Sequence, residues 1–212
     1  GFKAMQNLIG FSITIPHKNR ALELCDSVDS SARRAGAVNV VRRERDGQFR
    51  GYQFDGIGFV TGLESQGHTV SGRDCLIVGA GGAAAAIAFA LIDAGAKSLR
   101  IANRSPQKAK NLSAAINAEF KAEIAHFDNP IPEHGDLVVN ATSLGLYTDD
   151  ALPLDPILLD NSMIVADVVA SPEITKLLIE AKKQGSRIHS GIHMVENQVD
   201  LIARHLAGIG TS

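Results

Sequence analysis

The second part of the chain alternates short apolar runs with longer segments of helical character. The apolar runs predict strands at residues 75–78, 98–102, 123–126, 137–140 and 164–169. The segments between and after them predict helices at residues 83–94, 106–117, 173–183 and 192–206. Strands that alternate with helices favour right-handed βαβ units, so this part of the chain predicts an α/β fold with a parallel sheet.

The residues before 74 follow a different pattern, which predicts a hairpin and two helices. Strands are predicted at residues 11–15, 37–42 and 48–52, and helices at residues 18–26 and 55–66. The pair Asp46-Gly47 favours a tight turn between the last two strands. Asp55 is expected to cap the second helix, and Gly67 is expected to end it.

Composition and charge exclude several classes of function. The 212 residues carry a formal net charge of −2, which gives no overall electrostatic reason to bind nucleic acid or anionic lipid. No apolar run approaches the ~20 residues of a membrane span, and the first residues do not resemble a secretory signal. Only Cys25 and Cys75 occur, as is typical of a reduced compartment. We expect a cytoplasmic monomer or homodimer without nucleic-acid or membrane partners.

A glycine-rich segment follows the strand at 75–78 and opens the next helix. It consists of Gly79, Ala80, Gly81, Gly82, Ala83 and Ala84. In the G-x-G-x-x-A spacing, Gly79 allows a tight turn, Gly81 lets backbone N–H groups approach a pyrophosphate, and Ala84 lets helix and strand pack closely. The positive end of the helix dipole would add to phosphate binding. We interpret the segment as a dinucleotide-binding loop, the alternative being a turn without a ligand.

The end of the next strand distinguishes between the two nicotinamide cofactors. NAD sites usually carry Asp or Glu there to bind the ribose hydroxyls. This chain has Asn103, Arg104 and Ser105, followed by Lys108. The planar guanidinium of Arg104 can face a 2′-phosphate, and Ser105 and Lys108 can add to it. The sequence therefore predicts NADP rather than NAD, unless Arg104 is an ordinary solvated cation.

Lys18 and Asp55 are the candidates for proton transfer. Lys18 follows a predicted strand and Pro16, and Asp55 lies between the hairpin and a helix. A lysine beside a carboxylate can move the proton that hydride transfer from an alcohol releases. The residues alone do not bring the two together, so a surface lysine and a helix-capping aspartate stay open as alternatives.

Several short motifs follow one another along the chain. They are S-I-T-I-P-H-K at 12–18, A-G-A-V-N at 35–39, D-G-I-G at 55–58, G-A-G-G-A at 79–83, N-R-S with K-A at 103–105 and 108–109, N-A-T-S-L-G at 140–145, and M-x-x-x-Q at 194–198. In content and order they resemble the motifs of the shikimate/quinate dehydrogenase family. Each motif is modest, but together they are specific.

This resemblance implies two domains with an active-site cleft between them. The implied division is a smaller α/β substrate domain at 1–62, a Rossmann-type NADP domain at 63–190 and a helix at 191–212 that returns to the substrate domain. The implied reaction is reversible NADP-linked hydride transfer between shikimate, quinate or a related cyclic hydroxy acid and its 3-dehydro ketone.

The resemblance also implies roles for individual residues. Lys18 and Asp55 correspond to the catalytic pair, and Thr14, Asn39 and Gln198 correspond to polar substrate contacts. Further cofactor contacts are implied for Asn140, Ala141, Thr142, Ser143, Gly191 and Met194. A substrate rich in hydroxyls needs several polar partners, because a buried hydroxyl without one costs ~1–3 kcal/mol.

The sequence departs from the family pattern at several positions. The S-x-S motif that holds the substrate carboxylate has no counterpart, so we expect an N-terminally incomplete sequence. Phe54 replaces a small hydroxyl residue, Ala170 replaces a tyrosine, and His193 stands where glycine is usual. These changes favour a divergent paralogue.

Two other functions and a metal site are the alternatives to this interpretation. A catalytically weakened paralogue that senses NADPH or a ligand is one alternative. A bifunctional methylenetetrahydrofolate dehydrogenase ranks lower, because that type lacks the N-R-S and A-G-A-V-N elements. His189 and His193 are four residues apart, but Gly191 lies between them and no H-E-x-x-H pattern forms. We therefore expect no metal site.

Overall fold

The computed structural model describes residues 1–209, which build two β-sheets. The first sheet contains β1 (Gly10–Ser12), β2 (Ser27–Val28), β3 (Val40–Arg43) and β4 (Phe49–Tyr52), with helices α1 (Lys18–Leu24) and α2 (Ser30–Ala35) beside it. Its strand order is β1-β3-β4-β2, with β3 antiparallel to both neighbours and β2 parallel to β4. Gly47, with φ +84°, lies in the turn between β3 and β4, which confirms the predicted hairpin.

The second sheet has six parallel strands wrapped by helices. Its elements are β5 (Asp74–Val78), α4 (Gly82–Asp93), β6 (Ser98–Ala102), α5 (Pro106–Phe120), β7 (Ala125–Phe127), β8 (Leu137–Asn140), β9 (Ile164–Asp167), α6 (Lys176–Lys183) and β10 (Arg187–His189). The strand order β7-β6-β5-β8-β9-β10 is the doubly wound Rossmann order, which confirms the predicted fold class. Strands β6 and β7 add to one side of β5, and β8, β9 and β10 add to the other, so the strand order reverses between β5 and β8. Such folds bind ligands at this switch point, at the carboxyl ends of the strands.

Two long helices connect the sheets: α3 (Asp55–Ser65) and α7 (Ile192–Leu206). Helix α3 packs against both α4 and α7. A Cβ at Gly56 would lie 2.3 Å from the Ala86 carbonyl oxygen, and one at Gly58 would lie 2.7 Å from Cβ of Gln198. The glycines therefore allow a close approach of three helices, and Phe59 of α3 joins the same buried cluster as the strand residue Ile77.

The fold differs from the sequence expectations mainly in its short elements. Strand β1 is shorter than predicted and ends at Ser12, while β2, α2 and β10 were not predicted because two to six residues are too few to show a period. The prediction that Asp55 caps α3 is wrong, since Phe54 occupies the N-cap and its side chain makes no capping hydrogen bond.

The three-part domain division stays a prediction, and its last residues, 210–212, lie outside the described part of the chain. Within residues 1–209, no helix combines the length and the apolar character needed to cross a bilayer.

Candidate active site

Lys18 and Asp55, 37 residues apart in sequence, meet at the starts of α1 and α3. The Lys18 Nζ donates to Oδ2 of Asp55 at 2.5 Å. The two side chains are only 14% and 2% exposed, so solvent screens this ion pair weakly. The structure thus brings together the two candidates for proton transfer, which the residues alone did not place near each other.

Asn39 fixes the orientation of the Asp55 carboxylate from the other side. Its Nδ2 donates to Asp55 Oδ1 at 2.9 Å and to Gln198 Oε1 at 3.1 Å, and its Oδ1 accepts the backbone N–H of Phe54 at 2.9 Å. Gln53 Oε1 accepts the backbone N–H of Asp55 at 2.9 Å. The residue before β3, helix α3 and helix α7 therefore share one polar network, in which both oxygens of Asp55 have a donor.

A cavity of about 250 Å³ opens over this network. It is lined by Ser12, Ile13, Thr14, Lys18, Asn39, Asp55, Gln198, Val199 and Ile202. All five residues predicted for catalysis and substrate contact border it, and Ser12 joins them although the sequence analysis did not single it out. The lining combines these polar groups with the apolar side chains of Ile13, Val199 and Ile202.

A groove of about 290 Å³ runs along the glycine loop, and Lys18 borders both it and the polar cavity. Gly79 has φ +128°, and a Cβ there would lie 2.8 Å from the Ala141 carbonyl oxygen, so this turn requires glycine. A Cβ at Gly81 would meet nothing within 4 Å, which leaves open space above the loop. No side chain caps α4, so its first N–H groups remain for a phosphate and the loop fits a dinucleotide.

A third cavity of about 460 Å³ continues the groove at its far end. It shares Gly79, Asn103, Thr142 and Ser143 with the groove and adds the predicted residue Arg104. It also adds Asp128 and Asn129, which the sequence analysis missed because no motif marks the loop after β7. The groove therefore shares lining residues with both cavities, Lys18 with the first and these four residues with the third.

Of the side chains predicted to recognise a 2′-phosphate, Arg104 lines the third cavity, and Ser105 and Lys108 follow it at the start of α5. Asn103 Nδ2 donates to the Ser105 carbonyl oxygen at 3.0 Å, which tightens the turn before α5. Ser105 is the N-cap of α5, and Lys108 lies exposed in its first turn. Among residues 1–209, the guanidinium of Arg104 has no protein acceptor and is therefore available to an anion.

Five residues predicted to contact the cofactor do not border the groove or its neighbouring cavities: Ser105, Lys108, Asn140, Gly191 and Met194. Asn140 is fully buried, and its amide bonds only to protein atoms. Met194 belongs to the buried core cluster, and Gly191 packs so closely that a Cβ would lie 2.5 Å from the Val169 carbonyl oxygen. Asn140, Met194 and Gly191 thus support the fold in this conformation, and their predicted cofactor contacts stay predictions.

The substitution at Phe54 is accommodated away from the polar cavity. Its ring packs 5.3 Å from that of His205 and 6.4 Å from that of Tyr52, measured between centroids. The aromatic residue therefore ties β4 to the end of α7, and its ring is absent from the cavity lining.

Three histidines cluster where β10 meets α7. The ring of His189 lies 5.7 Å from that of His68 and 5.2 Å from that of His193. His189 is 1% exposed, and within residues 1–209 neither of its ring nitrogens has a hydrogen-bond partner. Burial, with the two neighbouring histidines, lowers the pKa of His189 to about 3, so it is a neutral core residue. Over the described range 1–209, no group of three or more His, Cys, Asp or Glu has metal-binding geometry.

The structure combines a doubly wound sheet, an open glycine turn at its switch point and a lysine–carboxylate pair beside the groove. These features define an α/β protein of the dinucleotide-binding oxidoreductase class. Comparison with known proteins narrows this class. Residues 1–41 match the model of the shikimate dehydrogenase substrate binding domain, and residues 63–176 match that of shikimate / quinate 5-dehydrogenase. The chain belongs to the shikimate/quinate dehydrogenase family.

Individual relatives agree with this assignment. The shikimate dehydrogenase (NADP(+)) of Bacillus cereus is 40% identical over 198 residues, which cover 92% of this chain and 71% of the relative. A shikimate dehydrogenase solved in complex with NADP+ superposes with a TM-score of 0.88 at 33% identity, covering 97% of this chain and 73% of that one. The 5-ketofructose reductase of a Gluconobacter species gives a TM-score of 0.84 at 36% identity, with 97% and 75% covered.

Proposed function

We propose that the protein is an NADP-dependent oxidoreductase that interconverts shikimate, quinate or a related cyclic hydroxy acid and the corresponding 3-dehydro ketone. The position of Lys18 carries this proposal, because Lys18 borders both the polar cavity and the glycine-loop groove. A hydroxyl bound in the cavity would therefore lie beside a proton-handling pair and next to the groove for the nicotinamide. The names of two relatives, which mention shikimate and NADP+, support the same substrate class and cofactor.

In this proposal the groove and the third cavity hold NADP, which supplies the hydride acceptor for alcohol oxidation. The first N–H groups of α4 bind the pyrophosphate above Gly81, where the backbone is open. Arg104, Ser105 and Lys108 bind the 2′-phosphate by charge-assisted hydrogen bonds. Thr142 and Ser143 border the groove and the third cavity, so they shape the passage between the two ends of the cofactor.

Lys18 and Asp55 act as one coupled pair in the proton step. The pair takes up the proton of the substrate hydroxyl as the hydride leaves the carbon, and it returns the proton in the reverse direction. Asn39 and Gln53 hold Asp55 in place through its side chain and its backbone N–H. A dyad held this rigidly needs little reorganisation when the reaction begins.

The polar residues that line the cavity select the substrate. Thr14 is exposed in the cavity wall, and Gln198 uses its carbonyl oxygen for Asn39, which leaves its amide N–H groups for a ligand. Thr14, Gln198 and Lys18 present donors to the hydroxyls of a polyol. The substrate region at 1–62, the NADP region at 63–190 and the helix that follows would then form a cleft around the hydride-transfer point.

NADPH absorbance tests the proposal directly. The protein is incubated with NADP and, in separate reactions, shikimate, quinate and aminoshikimate, and the wild-type chain is compared with Lys18→Ala. The matched control is Lys97→Ala, because Lys97 forms an exposed ion pair with Asp74 at the amino end of the second sheet. We expect turnover by the wild type and by Lys97→Ala, with a strong loss of kcat in Lys18→Ala.

The same experiment distinguishes the proposal from a ligand-sensing paralogue. A substrate-dependent or NADPH-dependent rise in melting temperature without turnover on any compound would favour the sensor. Neither turnover nor an NADPH-dependent shift would reject both functions.

A further inference from the structure

Asp167, at the carboxyl end of β9, is a buried carboxylate with no cationic partner. Its solvent exposure is 0%, and within residues 1–209 no Lys, Arg or His nitrogen lies within ion-pair distance of it. Instead its oxygens accept three hydrogen bonds: from Asn140 Nδ2 at 3.0 Å, from the Val169 backbone N–H at 3.0 Å and from Thr175 Oγ1 at 2.7 Å. Burial raises the pKa of the Asp167 carboxyl, whereas the three donors favour its charged form and act against this rise.

The carboxylate determines which way the Asn140 amide faces. Because Nδ2 of Asn140 donates to Asp167 and to the Leu144 carbonyl oxygen, its Oδ1 must face Thr142. There Oδ1 accepts the Thr142 backbone N–H at 3.1 Å and the Thr142 hydroxyl at 2.7 Å. The hydroxyl oxygen of Thr142 in turn accepts the Leu144 backbone N–H at 3.0 Å. A single chain of directed hydrogen bonds therefore runs from Asp167 to residue 144.

The segment held by this chain of hydrogen bonds forms a wall of the proposed cofactor site. Thr142 and Ser143 border both the groove and the third cavity. At the end of the segment, Gly145 adopts φ +107°, and a Cβ there would lie 3.4 Å from Cγ2 of Thr175 and 3.9 Å from Oδ2 of Asp167. The wall thus begins at Asn140, which bonds to Asp167, and ends at Gly145, which lies beside Thr175.

We propose that Asp167 is a positioning residue for the cofactor groove, which holds residues 141–144 in their binding shape through Asn140 and Thr175. This inference rests on the proposed function, because it needs NADP as the occupant of the groove. It assigns the buried network a role in cofactor affinity, without direct contact between Asp167 and the ligand. A residue that only stabilised the fold would lower the melting temperature and leave the affinity of the folded protein unchanged.

Binding and kinetics of matched variants test this inference. Asp167→Asn removes the charge at constant size, Thr175→Val removes one donor, and Thr175→Ser keeps it. Ile164→Ala, at the other end of β9, is the stability control because Ile164 is fully buried and far along the strand from the network. The measurements are the Kd for NADPH by fluorescence, the KM values for NADP and for the hydroxy acid, and the melting temperature.

We expect Asp167→Asn to raise the Kd for NADPH and the KM for NADP at least tenfold, with the KM for the hydroxy acid changed less than twofold. Thr175→Val should show a smaller rise, and Thr175→Ser should behave like the wild type. Ile164→Ala should lower the melting temperature alone. If Asp167→Asn does not fold, Thr175→Val carries the test.

Two results would overturn the inference. One is an unchanged Kd for NADPH in folded Asp167→Asn and Thr175→Val, and the other is an equal rise in the Kd for Ile164→Ala. If the wild-type protein itself bound no NADPH, the proposed function would fail, and the inference that rests on it would fail with it.

Discussion

The two sides of the candidate active site are built in opposite ways. On the substrate side, Lys18, Asn39, Asp55 and Gln198 come from four separate segments of the chain and meet through side-chain hydrogen bonds, with Asn39 and Gln198 159 residues apart. On the cofactor side, most of the groove is formed by short segments at the carboxyl ends of neighbouring strands, including the glycine loop. The substrate side therefore depends on tertiary packing, and the cofactor side depends on local turns.

The largest expected effect is the loss of kcat when Lys18, at the centre of the substrate side, is replaced. Lys18→Ala should lower kcat by about 10²–10⁴-fold, the usual contribution of general acid–base catalysis, with a much smaller change in KM. The reason is that the ion pair with Asp55 disappears while the other cavity residues remain in place. Steady-state kinetics with NADP and the best hydroxy acid measure both constants, and an unchanged kcat would remove Lys18 from the chemistry.

The next effect is on the cofactor side, at Arg104. Arg104→Ala should raise the KM for NADP by about 10–100-fold, because a charge-assisted hydrogen bond contributes ~1.5–3 kcal/mol. The KM for NAD should change little, since NAD lacks the 2′-phosphate. Arg45→Ala is the control, because Arg45 is exposed in the β3–β4 turn. Equal losses for NADP and NAD would show that Arg104 does not read the phosphate.

These two sides also differ in how far the sequence predicts them. The strand, glycine turn and helix of β5 and α4 occur within a few residues of their predicted positions, because local spacing carries that information. The contact between Lys18 and Asp55 could not follow from spacing, and the residues alone favoured a capping role for Asp55. Asn140 shows the limit of motif transfer: it lies in a motif of the family, but its side chain faces the protein interior.

The third effect compares Gly56, which allows close packing of two helices, with Gly81, which leaves open space beside the groove. Gly56→Ala should lower the free energy of unfolding by ~1–3 kcal/mol, because its Cβ would lie 2.3 Å from the backbone oxygen of Ala86 between α3 and α4. Gly81→Ala meets no atom within 4 Å, so stability should change by less than ~0.5 kcal/mol while NADPH binds more weakly. Urea unfolding and NADPH titration of both variants give the comparison, and similar stability losses would contradict it.

The smallest effect concerns the histidine cluster, which lies outside both sides of the site. The pKa of His189 is lowered to about 3 by burial and by His193 and His68, against an ordinary value near 6.5. The unfolded chain therefore binds a proton that the folded chain excludes, and stability is present above pH ~6.5 and lost as the pH falls towards ~3. Between pH 6.5 and 5.5 this loss amounts to about 1 kcal/mol.

Replacing His189 by a residue that cannot be protonated should remove that loss. His189→Leu places an apolar side chain beside Phe59 and the neighbouring rings. The free energy of unfolding of this variant should fall by about 1 kcal/mol less than that of the wild type over the same pH step. His126→Gln is the control, because His126 is exposed on β7. Urea unfolding at the two pH values measures the difference, and equal pH slopes for the wild type and His189→Leu would show that His189 does not contribute to acid sensitivity.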